Sequence, residues 1–347
     1  MSISFIPEKM QAVLWKGYGG YEQLEFRDDV PVPRPGPGGV LVRIGAAGVN
    51  NTDINTRTGW YSRAGAEDSG WTGAQHQFPR IQGADGCGRI VAVGEGVSPG
   101  RIGERILIEP IIRLGDPPGS QVSYFGSECN GAFAEYACVP SVNAHAIRSS
   151  LSDAQLASFP CAYAAAEHML ARSAVQAGED VLITGASGGV GSAAVQLAVR
   201  RGARVCALAS EPKAAAIAAL GAARVLDRGA DLLALLGGES IDVVIDVVGG
   251  GQFAQLLDIL KRRGRYAAAG AIAGPIVELD LRTLYLKDLQ LHGCTVFEPV
   301  VFRNLIGYIE RGEIQPLVAK QYPLSAIVAA QQEFITKGHV GKVVLLP

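Results

Sequence analysis

The chain has 347 residues, 48% of them hydrophobic and 18% charged, so it can bury a substantial core and is long enough for two domains. Its formal charge of −2 comes from 31 basic and 33 acidic residues with no basic block, which argues against a nucleic-acid groove and leaves small neutral substrates as the simpler expectation. No apolar stretch has the length of a signal peptide or an uninterrupted membrane span, and the six cysteines form neither a C-x-x-C pair nor a disulfide framework, so a reduced, cytoplasmic protein is expected.

Up to residue 150, short β-like runs are broken by Gly and Pro: Ala12–Trp15, Val40–Ile44, Gly88–Val93, Arg105–Ile108 and Ala134–Val139. That texture predicts a β-rich, partly open barrel. Between Arg57 and Arg80 runs a long loop of Gly, Ser, Trp and His, and such loops in compact domains tend to border ligands. From Leu151 helix-length Ala/Leu stretches alternate with β-branched runs at Asp180–Thr184, Arg204–Leu208, Ile241–Val248 and Gly264–Ala269, the pattern of βαβ units on a parallel sheet. After Lys287 short mixed elements return and end in the strand Lys342–Leu346. The expected organisation is a β-rich domain over 1–150, an α/β cofactor domain over 151–287, and a return to the first domain over 288–347.

The most informative stretch is Val181-Leu-Ile-Thr-Gly-Ala-Ser-Gly-Gly-Val-Gly, followed by a helix with apolar positions Val190, Ala194, Leu197 and Ala198. A buried strand running through a glycine turn into a helix lets the backbone approach a pyrophosphate that sits on the exposed helix-terminal amides. Gly185, Gly188 and Gly191 give the spacing G-x-x-G-x-x-G, while against the usual G-x-G-x-x-G the first position is Ala186. A bare turn without ligand is the alternative, and the βαβ units that follow argue for the cofactor. Sites that prefer NAD place an Asp or Glu about 20 residues further on, to hold the ribose hydroxyls. Here the second strand ends in Ala209-Ser210, while Ser210, Lys213 and Arg228 offer partners for a 2′-phosphate. NADPH is the expected cofactor, although both cations are also compatible with ordinary solvated surface.

Five segments in order resemble the medium-chain dehydrogenase/reductase superfamily, and within it the zinc-free quinone oxidoreductase branch: Ala46–Asp53, Gly83–Gly94, Gly131–Tyr136, Gly185–Gly191 and Gly341–Leu345. The resemblance implies an α/β protein with a GroES-like β-rich catalytic domain interrupted by a Rossmann doubly wound parallel sheet, with cofactor and substrate meeting between them, and a homodimer. It implies cofactor contacts at Gly185, Ala186, Ser187, Gly188, Gly189, Val190 and Gly191, at Ser210, Lys213 and Arg228, and at Val248 and Gly270. In the family's zinc-dependent members Cys stands at the position of Asn50, His at that of Ala84 and Cys at that of Cys161. Zinc wants three protein ligands in a catalytic site, and Cys161 alone survives. His76, Cys87 and His168 offer donors for a substitute, but isolated residues of these types are usually packing or surface groups, so no metal is expected.

Without a Lewis acid the chemistry suits acceptors that delocalise charge onto an oxygen: quinones, enones and enals. Family positions in the active cleft fall on Asn50, Thr52, Asp53 and Tyr61. Asn50 is expected to donate through its amide and Tyr61 to donate a hydrogen bond or proton; a turn-stabilising Asn and an aromatic lid are the alternatives. Asp53 is expected to position rather than transfer protons, and Asp85 to pair with a cation. Reduction of a quinone or activated double bond leads, followed by a metal-free alcohol or carbonyl oxidoreductase and by a non-catalytic NADPH-binding protein.

Overall fold

A computed structural model describes residues 6–62, 75–115 and 121–347; residues 63–74, within the expected ligand loop, lie outside the described residues. By its contacts the chain forms two compact units, Met1–Cys161 with Pro316–Gly338 and Lys342–Pro347, and Ala162–Gln315 with His339–Gly341.

The first unit starts with β1 (Lys9–Trp15), β2 (Leu24–Pro31) and β3 (Gly39–Gly48), then α1 (Asn51–Arg57) and β4 (Arg80–Ile81). There follow β5 (Cys87–Val93), β6 (Arg105–Ile108), β7 (Ile111–Leu114), β8 (Gln121–Tyr124), β9 (Tyr136–Pro140), β10 (Ala144–Ala146) and α2 (Asp153–Leu156). β1 lies between β2 and β4, β7 pairs with β8, and β3 is flanked by β5 and β9 with β6 and β10 beyond β5. β3 is the spine because nearly all its side chains are buried, Val40, Val42 and Ile44 among them, as its almost continuous apolar run requires. The expected partly open barrel is this set of short, Gly-punctuated sheets.

The second unit contains α3 (Pro160–Arg172, from its third residue), β11 (Asp180–Ile183), α4 (Gly189–Arg200), β12 (Arg204–Ala209), α5 (Ala214–Ala218), β13 (Arg224–Asp227) and α6 (Leu232–Leu236). It continues through β14 (Ile241–Asp246), α7 (Phe253–Asp258), β15 (Leu260–Ala268), α8 (Leu281–Leu286), β16 (Gln290–Gly293) and α9 (Pro299–Glu310). All five strand pairings are parallel and the order is β13-β12-β11-β14-β15-β16. Numbered from β11 this is 3-2-1-4-5-6, the doubly wound dinucleotide order, whose reversal point lies between β11 and β14. The chain leaves this unit at Pro316, later than the residue 288 read from the sequence, because β16 pairs with β15 and keeps the chain on the sheet. β16 is four residues with only one apolar aliphatic side chain, too little pattern to announce a strand.

β17 (Val318–Pro323), α10 (Ile327–Thr336) and β18 (Lys342–Leu346) return to the first unit, where β18 pairs antiparallel with β3 through Val344↔Gly48 and Leu345↔Ala47. That register sets Lys342 beside the segment connecting β3 to α1.

Candidate functional site

On the second unit the glycine loop joins β11 to α4. Gly185 has φ +56, and a Cβ on Gly191 would stand 2.2 Å from the Gly185 carbonyl oxygen, so only glycine permits this approach of helix to loop. α4 has Gly188 as its N-cap and no side chain caps it. Its first amides and dipole are thus presented to an anion rather than to the protein's own side chain, which fits a pyrophosphate. Gly189 and Val190 open the helix, and Ala186 is buried, its N–H bonded to Leu208 O at 3.0 Å.

Across the reversal point the fully buried Asp246 organises the loop after β14. Its carboxylate accepts from Thr184 Oγ1 at 2.6 Å, from the Tyr266 hydroxyl at 2.5 Å, and from the Val248 and Gly249 amides at 2.8 and 3.1 Å. Val248 is thereby fixed against the glycine loop: a Cβ on Gly185 would touch Val247 and Val248 at 3.0 Å. Gly270 is held equally close, since its Cβ would stand 2.6 Å from Val247 O. Sequence reading missed Asp246 as an organiser; the signal was a carboxylate inside the apolar run Ile241-Asp-Val-Val-Ile-Asp-Val-Val.

At the end of β12, Ser210 begins the turn that carries Lys213, whose amide bonds to Ser210 O at 2.9 Å. Burial lowers the Lys213 ammonium pKa and the neighbouring Arg228 cation lowers it further, so the two positive charges lie within electrostatic reach. Arg228 borders a shallow pocket of about 400 Å³ with Gly229, Asp231, Gly251 and Gln252, and Gln252 Nε2 anchors its carbonyl at 2.7 Å. Asp227 ends β13 opposite Ala209, but its carboxylate is bound to the Gly229 amide at 2.8 Å. Ser210, Lys213 and Arg228 thus follow the ends of β12 and β13, with the exposed Glu211 next to Ser210 in the chain.

The first unit gathers a polar centre at the β3–α1 junction. Asn50 is 7% exposed; its N–H donates to Asp53 Oδ2 at 2.7 Å, and its Nδ2 donates to Asp85 Oδ2 at 2.9 Å and Gly48 O at 3.3 Å. Both amide protons are spent, so the substrate-donor role expected for Asn50 does not fit this geometry. Asp85 finds its cation in Lys342, whose Nζ lies 2.7 Å from Asp85 Oδ2 and 2.5 Å from Asn50 Oδ1, while Asp85 Oδ1 accepts the Cys161 amide at 2.6 Å. Sequence reading treated Lys342 only as the start of a strand. Burial pushes the Asp53 carboxyl up to about 7, opposed by the Asn50 amide and the Lys342 ammonium. Its Oδ2 accepts the Asn50 amide across the first turn of α1.

Tyr61 follows α1 through the turn Thr58–Gly59–Trp60, with Trp60 edge-on to its ring at 5.3 Å. Burial raises the Tyr61 hydroxyl, partly offset by hydrogen bonds with the side chains of Thr52 and Asn55. Tyr124, absent from the sequence reading, lies 3.2 Å from Cys161 Sγ through its hydroxyl, and burial raises it further. Cys161 and Asp53 act electrostatically on both phenols, so Thr52, Asp53, Tyr61, Tyr124 and Cys161 form one neighbourhood.

A catalytic zinc does not fit this centre. Asn50 is bound to an ammonium and a carboxylate, Ala84 is buried and has no donor, and Cys161, the one ligand-type residue left at the three positions, has its Sγ 3.2 Å from the Tyr124 hydroxyl. The Lys342 ammonium adds a positive charge where a dication would have to bind. The substitute donors do not converge. His76 bridges the Tyr18 hydroxyl at 2.6 Å and Ser127 Oγ at 3.0 Å, Cys87 faces Asp153, and His168 is edge-on to Phe297. Among the described residues no group of three His, Cys, Asp or Glu is arranged to hold a metal.

A β-rich unit with a polar centre and a doubly wound unit with a pyrophosphate loop together define a nicotinamide-dependent oxidoreductase. Residues 36–149 match the alcohol dehydrogenase GroES-like domain, and residues 189–311 match the zinc-binding dehydrogenase family. The chain is 30% identical to a quinone oxidoreductase of Lama guanicoe over 97% of each protein. A solved structure from Sinorhizobium meliloti 1021, provisionally named an alcohol dehydrogenase, has 48% identity, a TM-score of 0.93 and coverage of 99% of this chain and 98% of that one. A crotonyl-CoA carboxylase/reductase solved with NADP has 25% identity, a TM-score of 0.84 and coverage of 99% and 95%. The chain belongs to the medium-chain dehydrogenase/reductase superfamily, in its quinone oxidoreductase-like branch.

Proposed function

We propose that this protein reduces a quinone or an α,β-unsaturated carbonyl compound with NADPH and without a catalytic zinc. The observation that carries this reading is the polar centre at the β3–α1 junction, where an internal lysine and a protonated tyrosine stand among the positions from which zinc-dependent relatives hold their metal. Gly185–Gly191, Val248 and Gly270 hold the cofactor, Ser210, Lys213 and Arg228 its 2′-phosphate. When bound, the reduced nicotinamide supplies the hydride. Tyr61 donates a hydrogen bond to the acceptor's oxygen as negative charge develops there, and supplies a proton when one is needed; Thr52 orients the phenol. Asp53 and Asn50 serve as framework. Absorbance loss at the NADPH band, measured against a panel of quinones, enones, enals and simple aldehydes, tests the assignment. Turnover is expected with the conjugated acceptors, with well under one zinc per chain by elemental analysis and no loss on chelation. Activity confined to simple carbonyls would favour the second reading, an alcohol or carbonyl oxidoreductase, to which the name of the Sinorhizobium structure lends support. Inactivity with every acceptor would favour a binding protein.

The partner we propose is a second copy of the chain. β16 is the edge of the six-stranded sheet, and near it in sequence Leu281, Tyr285 and Leu286 are 64%, 62% and 57% exposed, the apolar companionship that a sheet edge seldom leaves to water. Light scattering should give the mass of two chains for the wild type and of one for Leu281→Asp/Tyr285→Asp; a monomeric wild type would refute the pairing. No helix among the described residues is long and apolar enough to cross a membrane. The six cysteines are free, which suits the reducing cytoplasm proposed for it.

A further inference from the structure

Lys342 is 2% exposed and Asp85 fully buried, an uncommon place for either charge. Such a pair survives only when its geometry is good and its remaining donors and acceptors are satisfied. Here two of the three ammonium protons and both carboxylate oxygens are: Lys342 Nζ reaches Asn50 Oδ1 and Asp85 Oδ2, and the two Asp85 oxygens also take Asn50 Nδ2 and the Cys161 amide. The arrangement removes one freedom in particular. An asparagine amide can flip, exchanging its oxygen and nitrogen, but only one orientation faces oxygen to the ammonium and nitrogen to the carboxylate. Lys342 and Asp85 together therefore set Asn50.

Asn50 in turn sets α1. Its N–H is held by Asp53 Oδ2, and Gln82 Nε2 fixes the Asp53 carbonyl at 2.8 Å, so the first turn of α1 is clamped from the β3 side and from the Gln82 side. Thr52 lies in that turn, and Tyr61, whose hydroxyl accepts from Asn55 Nδ2 of the same helix at 3.5 Å, follows the helix. We infer that Lys342 is a positioning residue of the reducing centre: through Asn50 and Asp85 its ammonium holds the first turn of α1, and with it Thr52 and the Tyr61 hydroxyl, in place. The inference rests on the reading of Tyr61 as the donor. It assigns to one buried side chain of the closing strand the anchoring that ligand bonds to a metal provide in zinc-dependent relatives.

The test uses the full chain carrying Lys342→Met, Lys342→Arg, or Lys342→Met with Asp85→Asn, the last removing both charges so that a folded protein remains if the single variant does not fold. Lys342→Met, or the double variant in its stead, should lose about 30-fold or more in kcat while KM for NADPH stays within about twofold, the signature of a lost transition-state geometry rather than of lost cofactor binding. Lys342→Arg, which keeps the charge, should recover a large part of that loss. Independently of activity, amide hydrogen exchange over residues 50–57 should accelerate by about tenfold or more while that of residues 185–200 stays unchanged. Wild-type kcat in a folded charge-free variant, or unchanged exchange over 50–57, overturns the inference. Should the wild type prove inactive with every acceptor, the functional reading fails, and the exchange measurement still decides whether Lys342 clamps α1.

Discussion

Tyr61→Phe should lower kcat with the best conjugated acceptor by about 100- to 1,000-fold, the loss that follows removal of one donor aimed at a developing oxyanion, roughly 2.7–4 kcal/mol. The change deletes one oxygen and keeps the ring, so the edge-on packing with Trp60 survives and folding should be little affected. Because burial raises the Tyr61 hydroxyl above its ordinary value, it stays protonated throughout the neutral range, and kcat should show no falling limb from this group as pH rises through 7 to 9. Cofactor affinity should be unchanged by the substitution. Steady-state kinetics across pH, with NADPH binding measured separately, checks each part. Tyr61→Phe with wild-type kcat would move the donor to another hydroxyl, and Tyr124, which shares the Cys161 neighbourhood, would be the next to replace.

The glycine turn between β11 and α4 was legible because its physics is local. Gly185, Gly188 and Gly191 lie within seven residues of chain, and the steric reason for the last of them, the Gly185 carbonyl, comes from the same turn. The alternation of β-branched runs with Ala/Leu stretches likewise gave the parallel sheet, though not the weakly apolar β16 at its edge. What the sequence could not display were partnerships across long separations. Lys342 and Asn50 are 292 residues apart, Lys342 and Asp85 257, and nothing near any of them states that they will meet. Without Lys342, an exposed asparagine amide free to bind substrate was a reasonable reading of Asn50; with it, the amide is consumed. A general signal did exist: Lys342 opens an apolar strand and Asp246 interrupts one, and a charge within a buried run calls for a partner. That signal gives the need for a partner without giving its identity.

The NADPH preference should be at least about tenfold in Kd over NADH, and it should fall as salt rises. β12 ends at Ala209 and Ser210 follows it, so no carboxylate stands at the strand end itself; the exposed Glu211 comes one residue later, and Asp227 on β13 is turned onto the Gly229 amide. Charge-assisted hydrogen bonds are worth roughly 1.5–3 kcal/mol each when well formed, and about 1.4 kcal/mol is one decade of affinity. The full value of two such bonds is not expected here, because Arg228 is exposed and Lys213 half-buried, so solvent screens both. One decade is the conservative remainder. Lys213 already carries the cost of a neighbouring cation, as the lowering of its pKa by Arg228 indicates, and a bound phosphate would relieve that repulsion. Arg228→Ala and Lys213→Ala should therefore each cut the preference several-fold, and the double variant should lose less than the product of the two, since removing either cation relieves the other. Titration of both cofactors by protein fluorescence at low and high ionic strength gives all of these ratios. Equal affinities in the wild type would refute the phosphate site, whereas a preference that persists in the double variant would keep NADPH and transfer its recognition to other residues.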